Sequence, residues 1–358
     1  MNFEFLGEQC NNIEVCNLDH RPVWIFGTGT FGRSLAKILL EEGFDLQGFV
    51  ETNPTTDSIM GLSVKSLIDV PNTTQLAIGI FNGGVPFSNL KKQANDLGFT
   101  DIYMPWNLYT QFQKKLGWRY WLSHPDVIIK NLDRIQTVYD LLSDERSKQC
   151  LIDICLFRLG KKISYAEDVD TDAQYFNYLT LDNLPKEIVY LDGGAYDGDT
   201  YLDLSNRLTV KHAYLFEPDP ANFSKLIKNV ENHSLTCMPM ALTDSYKILR
   251  FNAAGGEGSS VSDDGKMHIA AVALDELLHN QSVDFIKLDV EGSEISAIKG
   301  AYNTIKQNRP VLTISLYHKP DDLWEIPLEL LSVCTDYKFY IRQHYYNSFD
   351  CVLYGIPT

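Results

Sequence analysis

Short apolar runs alternate with stretches of helical spacing through the first hundred residues. VWIFG (23–27) reads as a buried strand, RSLAKILLEEG (33–43) has apolar positions three and four apart and stops at Gly43, and LQGFVE (46–51) is strand-like again. LAIGI (76–80) and DIYMP (101–105) add two strands, with the helix-compatible SNLKKQANDLG between them. Strands that alternate with helices build a parallel sheet covered on its faces. From Tyr109 to Thr180 no clear strand appears. Pro125 suits the first turn of a helix whose positions Ile128, Leu132, Ile135 and Tyr139 share one face, and Ser143 is placed to cap a second helix that Gly160 stops. From Lys186 strands resume as EIVYLD, AYLFE, SLTCMPM, ILRFN, DFIKLD and PVLTISLY, followed by YKFYIRQ and CVLYGI. Only HYYNSFD separates the last two, so they form an antiparallel hairpin. The pattern predicts an α/β chain with a Rossmann-like domain over 1–108, a helical connector over 109–180 and a second α/β domain over 181–358.

Composition removes several function classes. Apolar residues make up 44% and aromatics 12%, enough to build cores and too many for a disordered acidic chain. The net charge of −16 repels phosphate backbones and anionic bilayers, so nucleic-acid and membrane-surface partners are not expected. No window offers the ~18 consecutive apolar residues of a membrane span, and the acidic N-terminus lacks the basic start of a secretory signal, which points to the cytoplasm. The seven cysteines are scattered without a C-x-x-C pair, so neither a zinc cage nor a disulfide framework fits.

Candidate chemistry collects at the ends of the C-terminal strands. LDGGAYDGDT (191–200) sets Asp192, Gly193, Gly194, Ala195, Asp197, Gly198 and Thr200 between a strand and a helix. Glycines there let a ligand approach the backbone, and the loop is acidic and lacks the Lys of a phosphate-binding P-loop. It suits a cationic ligand such as the sulfonium and amino group of S-adenosylmethionine. Glu217, at the next strand's end, can accept both hydroxyls of a ribose, while Asp219 and Pro220 read as a helix cap and first turn. KLDVEGSE (287–294) carries Asp289 and Glu291 two apart on one strand face, with Lys287 placed to pair with either and Ser293 or Glu294 placed to cap the following helix. His318 leaves its strand at the same edge and is a candidate base for a hydroxyl.

With DGGAYDGDT, YLFEPDP, ALDELL followed by DFIKLDVEGSEISAIKGA, and PVLTISLYHKPDDLWEIP in this order, residues 185–356 resemble the FkbM family of S-adenosylmethionine-dependent methyltransferases. The resemblance implies a seven-stranded class I methyltransferase sheet ending in the antiparallel hairpin. It places Asp192, Gly194 and Asp197 near the methionine part of the cofactor, Glu217 on its ribose, and Ala241 with its neighbours near the adenine. It also implies O-methylation of a hydroxyl on a polyketide, sugar or polysaccharide precursor. Methyl transfer to a neutral alcohol needs the acceptor held in line and relieved of its proton, a task for Asp289, Glu291 and His318, with His318 or Asp289 as base. The same three side chains are a ligand mix for a divalent cation. Tyr317, Asp322, Trp324, Arg342 and Tyr345 are placed to shape an acceptor pocket or to pack the strands.

The first half has its own motif. Gly27, Gly29 and Gly32 form G-x-G-x-x-G between strand and helix, and Glu51 ends the second strand, as in dinucleotide-binding units. The region also resembles small nucleotide-binding domains that precede sugar-modifying enzymes. It reads as a nucleotide or nucleotide-sugar site, a ligand-free packing or dimerisation module, or an NAD(P) site, with FNGGVPF (81–87) as a far wall. Two other functions stay open: a nucleotide-binding adaptor without catalysis and an NAD(P)-dependent oxidoreductase. The acceptor, the metal requirement and homo-oligomerisation are left undecided by the sequence.

Overall fold

The computed structural model describes residues 3–11, 13, 16–253, 260–262, 264–278 and 281–358. The chain divides into two compact units. One comprises residues 1–136, 149–169 and 345–349, and the other residues 137–148, 170–344 and 350–358. The stretch expected as a separate connector is therefore shared between the units.

In the first unit, β1 (Val23–Phe26), β2 (Leu46–Glu51), β3 (Ser58–Ile59), β4 (Leu62–Ser66), β5 (Gln75–Ile78) and β6 (Ile102–Tyr103) form one sheet in the order β3-β4-β2-β1-β5-β6. All pairings are parallel except β3 with β4. The short β3 and β4 were not legible as strands, because LSVKS lacks a sustained apolar run. The helix through Pro125 is two helices, Asp126–Ile129 and Leu132–Leu141.

The second unit is built on β7 (Glu187–Gly193), β8 (Thr209–Phe216), β9 (Thr236–Met238), β10 (Ala241–Leu242), β11 (Lys247–Asn252), β12 (Ser260–Val261), β13 (Met267–Val272), β14 (Phe285–Leu288), β15 (Val311–Ser315), β16 (Tyr337–Gln343) and β17 (Cys351–Pro357). Its larger sheet runs β16-β17-β15-β14-β7-β8-β9, with β17 antiparallel to both neighbours and the other pairs parallel. The central strands β14 and β15 are buried throughout, as parallel strands covered on both faces are. Ile188, Tyr190, Leu215, Phe285 and Val311 pack into a core with Phe176 and Leu179.

ILRFN joins a different, four-stranded sheet, ordered β10-β13-β11-β12. Its Ile248, Arg250 and Asn252 are exposed while Phe251 is buried, so this strand has only one covered face. Ser143 does not cap its helix. Asp144 does so, accepting the Ser147 N–H (2.7 Å) before the helix Glu145–Arg158, and the Ser143 hydroxyl instead accepts the Phe339 N–H of β16 (3.1 Å). Among the described residues, no helix is long and apolar enough to cross a membrane.

Candidate active site

The glycine-rich segment turns sharply off β7. The N–H groups of Gly194 and Ala195 both donate to the Phe216 carbonyl at the end of β8 (3.0 and 2.9 Å). Gly194 has φ +80°, and a Cβ there would lie 1.9 Å from the Asp289 carbonyl oxygen. Only glycine lets this turn pass over the end of β14. Gly198, also left-handed at φ +89°, leads into the helix Asp199–Ser205. Asp197 is half-buried and accepts the Asp199 N–H, and the Thr200 N–H donates to the Asp199 carboxylate.

The Asp192 side chain is wholly buried, with Oδ1 2.9 Å from Lys287 Nζ and Oδ2 accepting the Tyr190 hydroxyl (2.9 Å). Lys287 also donates to the Gly194 carbonyl (2.7 Å), so the ion pair props the glycine turn from beneath. Lys287 was read as a partner for Asp289 or Glu291, but β14 pairs with β7 in a register that sets Lys287 beside Asp192. Burial opposes its charge, yet the Asp192 and Asp289 carboxylates outweigh burial and raise the amine above its ordinary value.

Glu217 follows β8 directly. Its Oε2 accepts the Tyr196 N–H (3.0 Å) and its Oε1 accepts the Asp219 N–H (2.8 Å). Burial pushes its carboxyl up to about 7, against those two backbone donors. Asp219 caps the helix Pro220–Asn229, accepting from Ala221 and Asn222. Ala241 is buried in β10 of the smaller sheet.

The ends of β14 and β15 bring Asp289, Glu291 and His318 together. Glu291 (φ +51°) and Gly292 (φ +90°) turn the chain sharply before the helix Glu294–Lys299. His318 is wholly buried. Its Nε2 stands 3.3 Å from Asp289 Oδ1 and 3.7 Å from Glu291 Oε2, and its Nδ1 lies 2.9 Å from Glu294 Oε1. Glu294 Oε1 also accepts the Val290 N–H (2.9 Å), and Asp289 Oδ2 accepts the Tyr175 hydroxyl (2.9 Å). Burial disfavours a charged ring, but the carboxylates of Glu294, Glu291 and Asp289 overcome it and raise His318 to about 10. Asp289, despite burial, is held below its ordinary range by His318 and Lys287. With both ring nitrogens facing carboxylates, the neighbouring charges favour the protonated ring, so a base role for His318 requires that Nε2 first give up its proton. Single ligand atoms of Asp289, Glu294 and His318 all lie within 4.8 Å of one another.

Glu294 and Tyr175 were missed as site residues. Glu294 does receive a backbone N–H as a helix cap would, which masked its second role, and Tyr175 lies outside any motif. The Tyr317 ring packs against His318, with centroids 4.3 Å apart. Asp322 accepts the Lys319 N–H (2.6 Å) and is pushed up to about 7 by burial and by Glu294. Trp324 is a core residue. Arg342 is buried against Asp144 (2.7 Å), Ser147 (2.7 Å) and the Tyr178 hydroxyl (3.1 Å), so it braces β16 instead of meeting an acceptor. Tyr345 belongs to the first unit.

In that unit the fingerprint glycines have separate jobs. A Cβ on Gly27 (φ +110°) would meet the Ile80 side chain at 2.4 Å, and one on Gly32 would meet the Gly27 carbonyl oxygen at 2.2 Å. A Cβ on Gly29 would meet nothing within 4 Å, at the N-terminus of the helix Thr30–Glu41. Glu51 accepts a hydrogen bond from the Thr28 hydroxyl.

Residues 192–341 match the family model described as the methyltransferase FkbM domain. The chain is 28% identical over 158 residues to the hexuronic acid methyltransferase AglP of Haloferax volcanii, covering 41% of this chain and 64% of that relative. It thus spans just under two thirds of the length of the curated relative it matches. The crystal structure of methyltransferase FkbM from Methylobacillus flagellatus KT superposes with a TM-score of 0.76 at 20% identity, over 99% of this chain and 98% of that one, a likeness of fold. The turn under Gly194 and the strand ends carrying Glu217, Asp289 and His318 thus lie within residues 192–341, the stretch that matches the FkbM methyltransferase domain model.

Proposed function

We propose that the protein transfers a methyl group from S-adenosylmethionine to a hydroxyl of a sugar, polysaccharide precursor or related natural product. The observation that carries this reading is convergence: the glycine turn, Glu217, and the Asp289, Glu291 and His318 cluster all follow carboxyl ends of strands in one sheet, where open α/β sheets bind ligands. The hexuronic acid methyltransferase among the relatives supports a sugar acceptor. Glycines 194 and 198 bring backbone to the cofactor's amino-acid part, and Glu217 accepts its ribose hydroxyls. In the transfer, the acceptor oxygen forms a bond to the methyl carbon as the carbon–sulfur bond breaks, and sulfur keeps the electron pair. The hydroxyl proton leaves to the carboxylates of the cluster or, with a cation bound there, to solvent.

Isothermal titration with S-adenosylmethionine and S-adenosylhomocysteine tests the reading, with both expected to bind one-to-one. An adaptor without catalysis need not bind both, and binding of neither overturns the proposal. A mass-spectrometric search of metabolite extracts for a species gaining one methyl group then names the acceptor. His318→Ala is expected to lower turnover while cofactor affinity stays nearly unchanged, and full activity in that variant removes His318 from the chemistry.

For the first unit we infer a nucleotide or nucleotide-sugar ligand, supported by the open space over Gly29 and by Glu51 at the end of β2. A thermal-shift panel of NAD, NADP and UDP-sugars tests it. Stabilisation by one of them that Gly29→Val removes is the expected result, and no stabilisation leaves a packing module.

A further inference from the structure

We propose that Asp289, Glu291 and His318 form a site for one divalent cation, ligated by His318 through Nε2 once the cation displaces the proton on that nitrogen to solvent. The argument starts from the atoms that face away from the site. His318 Nδ1 donates to Glu294 Oε1, which is itself fixed by the Val290 N–H. That bond sets the ring orientation and turns Nε2 toward Asp289 and Glu291. The far oxygen of Asp289 is fixed in the same way by the Tyr175 hydroxyl, so its near oxygen, Oδ1, points toward Nε2. Asp289 Oδ1 is buried and faces the His318 ring at 3.3 Å. Ligands whose distal atoms are tied to outer carboxylates and hydroxyls are the usual construction of a metal centre.

Distances and charge agree. Ligand atoms bound at about 2.0–2.2 Å stand roughly 3.0–3.6 Å apart in tetrahedral or octahedral shells. The cluster's 3.3 and 3.7 Å spacings lie at that separation or just beyond it. Three carboxylates face a single imidazole, so the cluster attracts positive charge even after His318 holds a proton. Glu294 is a ligand candidate by proximity, but it faces the opposite ring nitrogen from Asp289 and is already held by the Val290 N–H. It is therefore an outer partner. Asp289 and Glu291 keep side-chain exposures of 24% and 20%, although the ligand atoms Oδ1 and Oε2 are themselves buried, as His318 is. One imidazole and two carboxylates suit Mn²⁺ or Zn²⁺ better than Ca²⁺, and three protein ligands leave positions open for an acceptor oxygen.

The test uses the full chain, stripped with chelator and titrated with Mn²⁺ alone. One Mn²⁺ per chain is expected, with a spin-echo nitrogen modulation from directly bound imidazole. Asp289→Asn and Glu291→Gln are each expected to weaken binding by at least ~10-fold, and Glu294→Gln by ~10–100-fold through loss of the outer carboxylate. A one-to-one site without nitrogen modulation, binding unchanged in Glu291→Gln, or no saturable site overturns the proposal. If an isostere fails to fold, the wild-type nitrogen signal still decides. Because the titration contains no methyl donor, failure here leaves the methyltransferase reading intact, and failure of cofactor binding leaves the cation site intact.

Discussion

Depth in the sheet decides what each charged residue does. Asp192 and Lys287 lie on adjacent buried strands, and removing one partner strands the other without solvent. Lys287→Met is expected to destabilise the fold by about 3–5 kcal/mol in denaturant titrations, and adding Asp192→Leu to recover part of that loss. A single-variant effect under ~1 kcal/mol would show that the pair does not support the turn. Glu217 answers to pH instead. Its carboxyl is raised to about 7 in the folded chain by burial, with Asp219 also pushing it up and the backbone donors and Lys287 opposing. The folded state therefore holds an extra proton between the unfolded value near 4.5 and about 7, and this group's contribution to stability declines as pH rises through that window. A ribose whose hydroxyls donate to the carboxylate selects the ionised form. S-adenosylmethionine affinity should therefore rise roughly tenfold from pH 6 to pH 8, and Glu217→Gln should flatten the dependence. A wild-type profile that is flat or falls over that range separates Glu217 from the ribose.

Strand ends explain why some elements were legible from sequence and others were not. β7, β14 and β15 are buried on both faces, so they leave continuous apolar runs that end in glycine or in charge. Asp289, Glu291 and His318 could be placed together because each follows such a run. β11 also carries three apolar residues, but its alternation assigns it to a one-sided sheet that run length alone does not reveal. Tyr175 is 114 positions from the carboxylate it holds, and Glu294 is 24 from His318, so neither contact leaves a local pattern. The pairing of Asp192 with Lys287 was hidden for a related reason, since the register of β7 against β14 decides it and sequence does not show register. Gly194, just past β7, passes close over the end of β14. Gly194→Ala forces a Cβ against the Asp289 carbonyl at a left-handed position, for an expected loss of about 1–3 kcal/mol in stability and a larger loss in S-adenosylmethionine affinity. Thermal melts with and without cofactor measure both, and unchanged values would mean that the turn is free to move away from β14.

Over the whole chain, the units do not follow the boundaries at which the sequence pattern changes, because the second unit recruits residues 137–148 and 170–180 from the stretch read as a connector. Arg342 shows what that recruitment does. It is 2% exposed, and its partners Asp144, Ser147, Asp170 and Tyr178 all precede residue 181. Phe176 and Leu179, which fill the core beside Ile188 and Phe285, precede it too. A fragment of residues 181–358 would keep every strand of both sheets in the second unit but bury a guanidinium without its carboxylates, a loss of about 3–5 kcal/mol against a typical total of about 5–15 kcal/mol. The missing core residues add to that loss. The fragment should therefore show no cooperative denaturant transition, bind a hydrophobic dye and give no heat with S-adenosylmethionine, while the full chain does the reverse. A cooperative transition with cofactor binding in the fragment would mean that the Arg342 network and its core neighbours are dispensable, and that the methyltransferase domain ends where the strand pattern does.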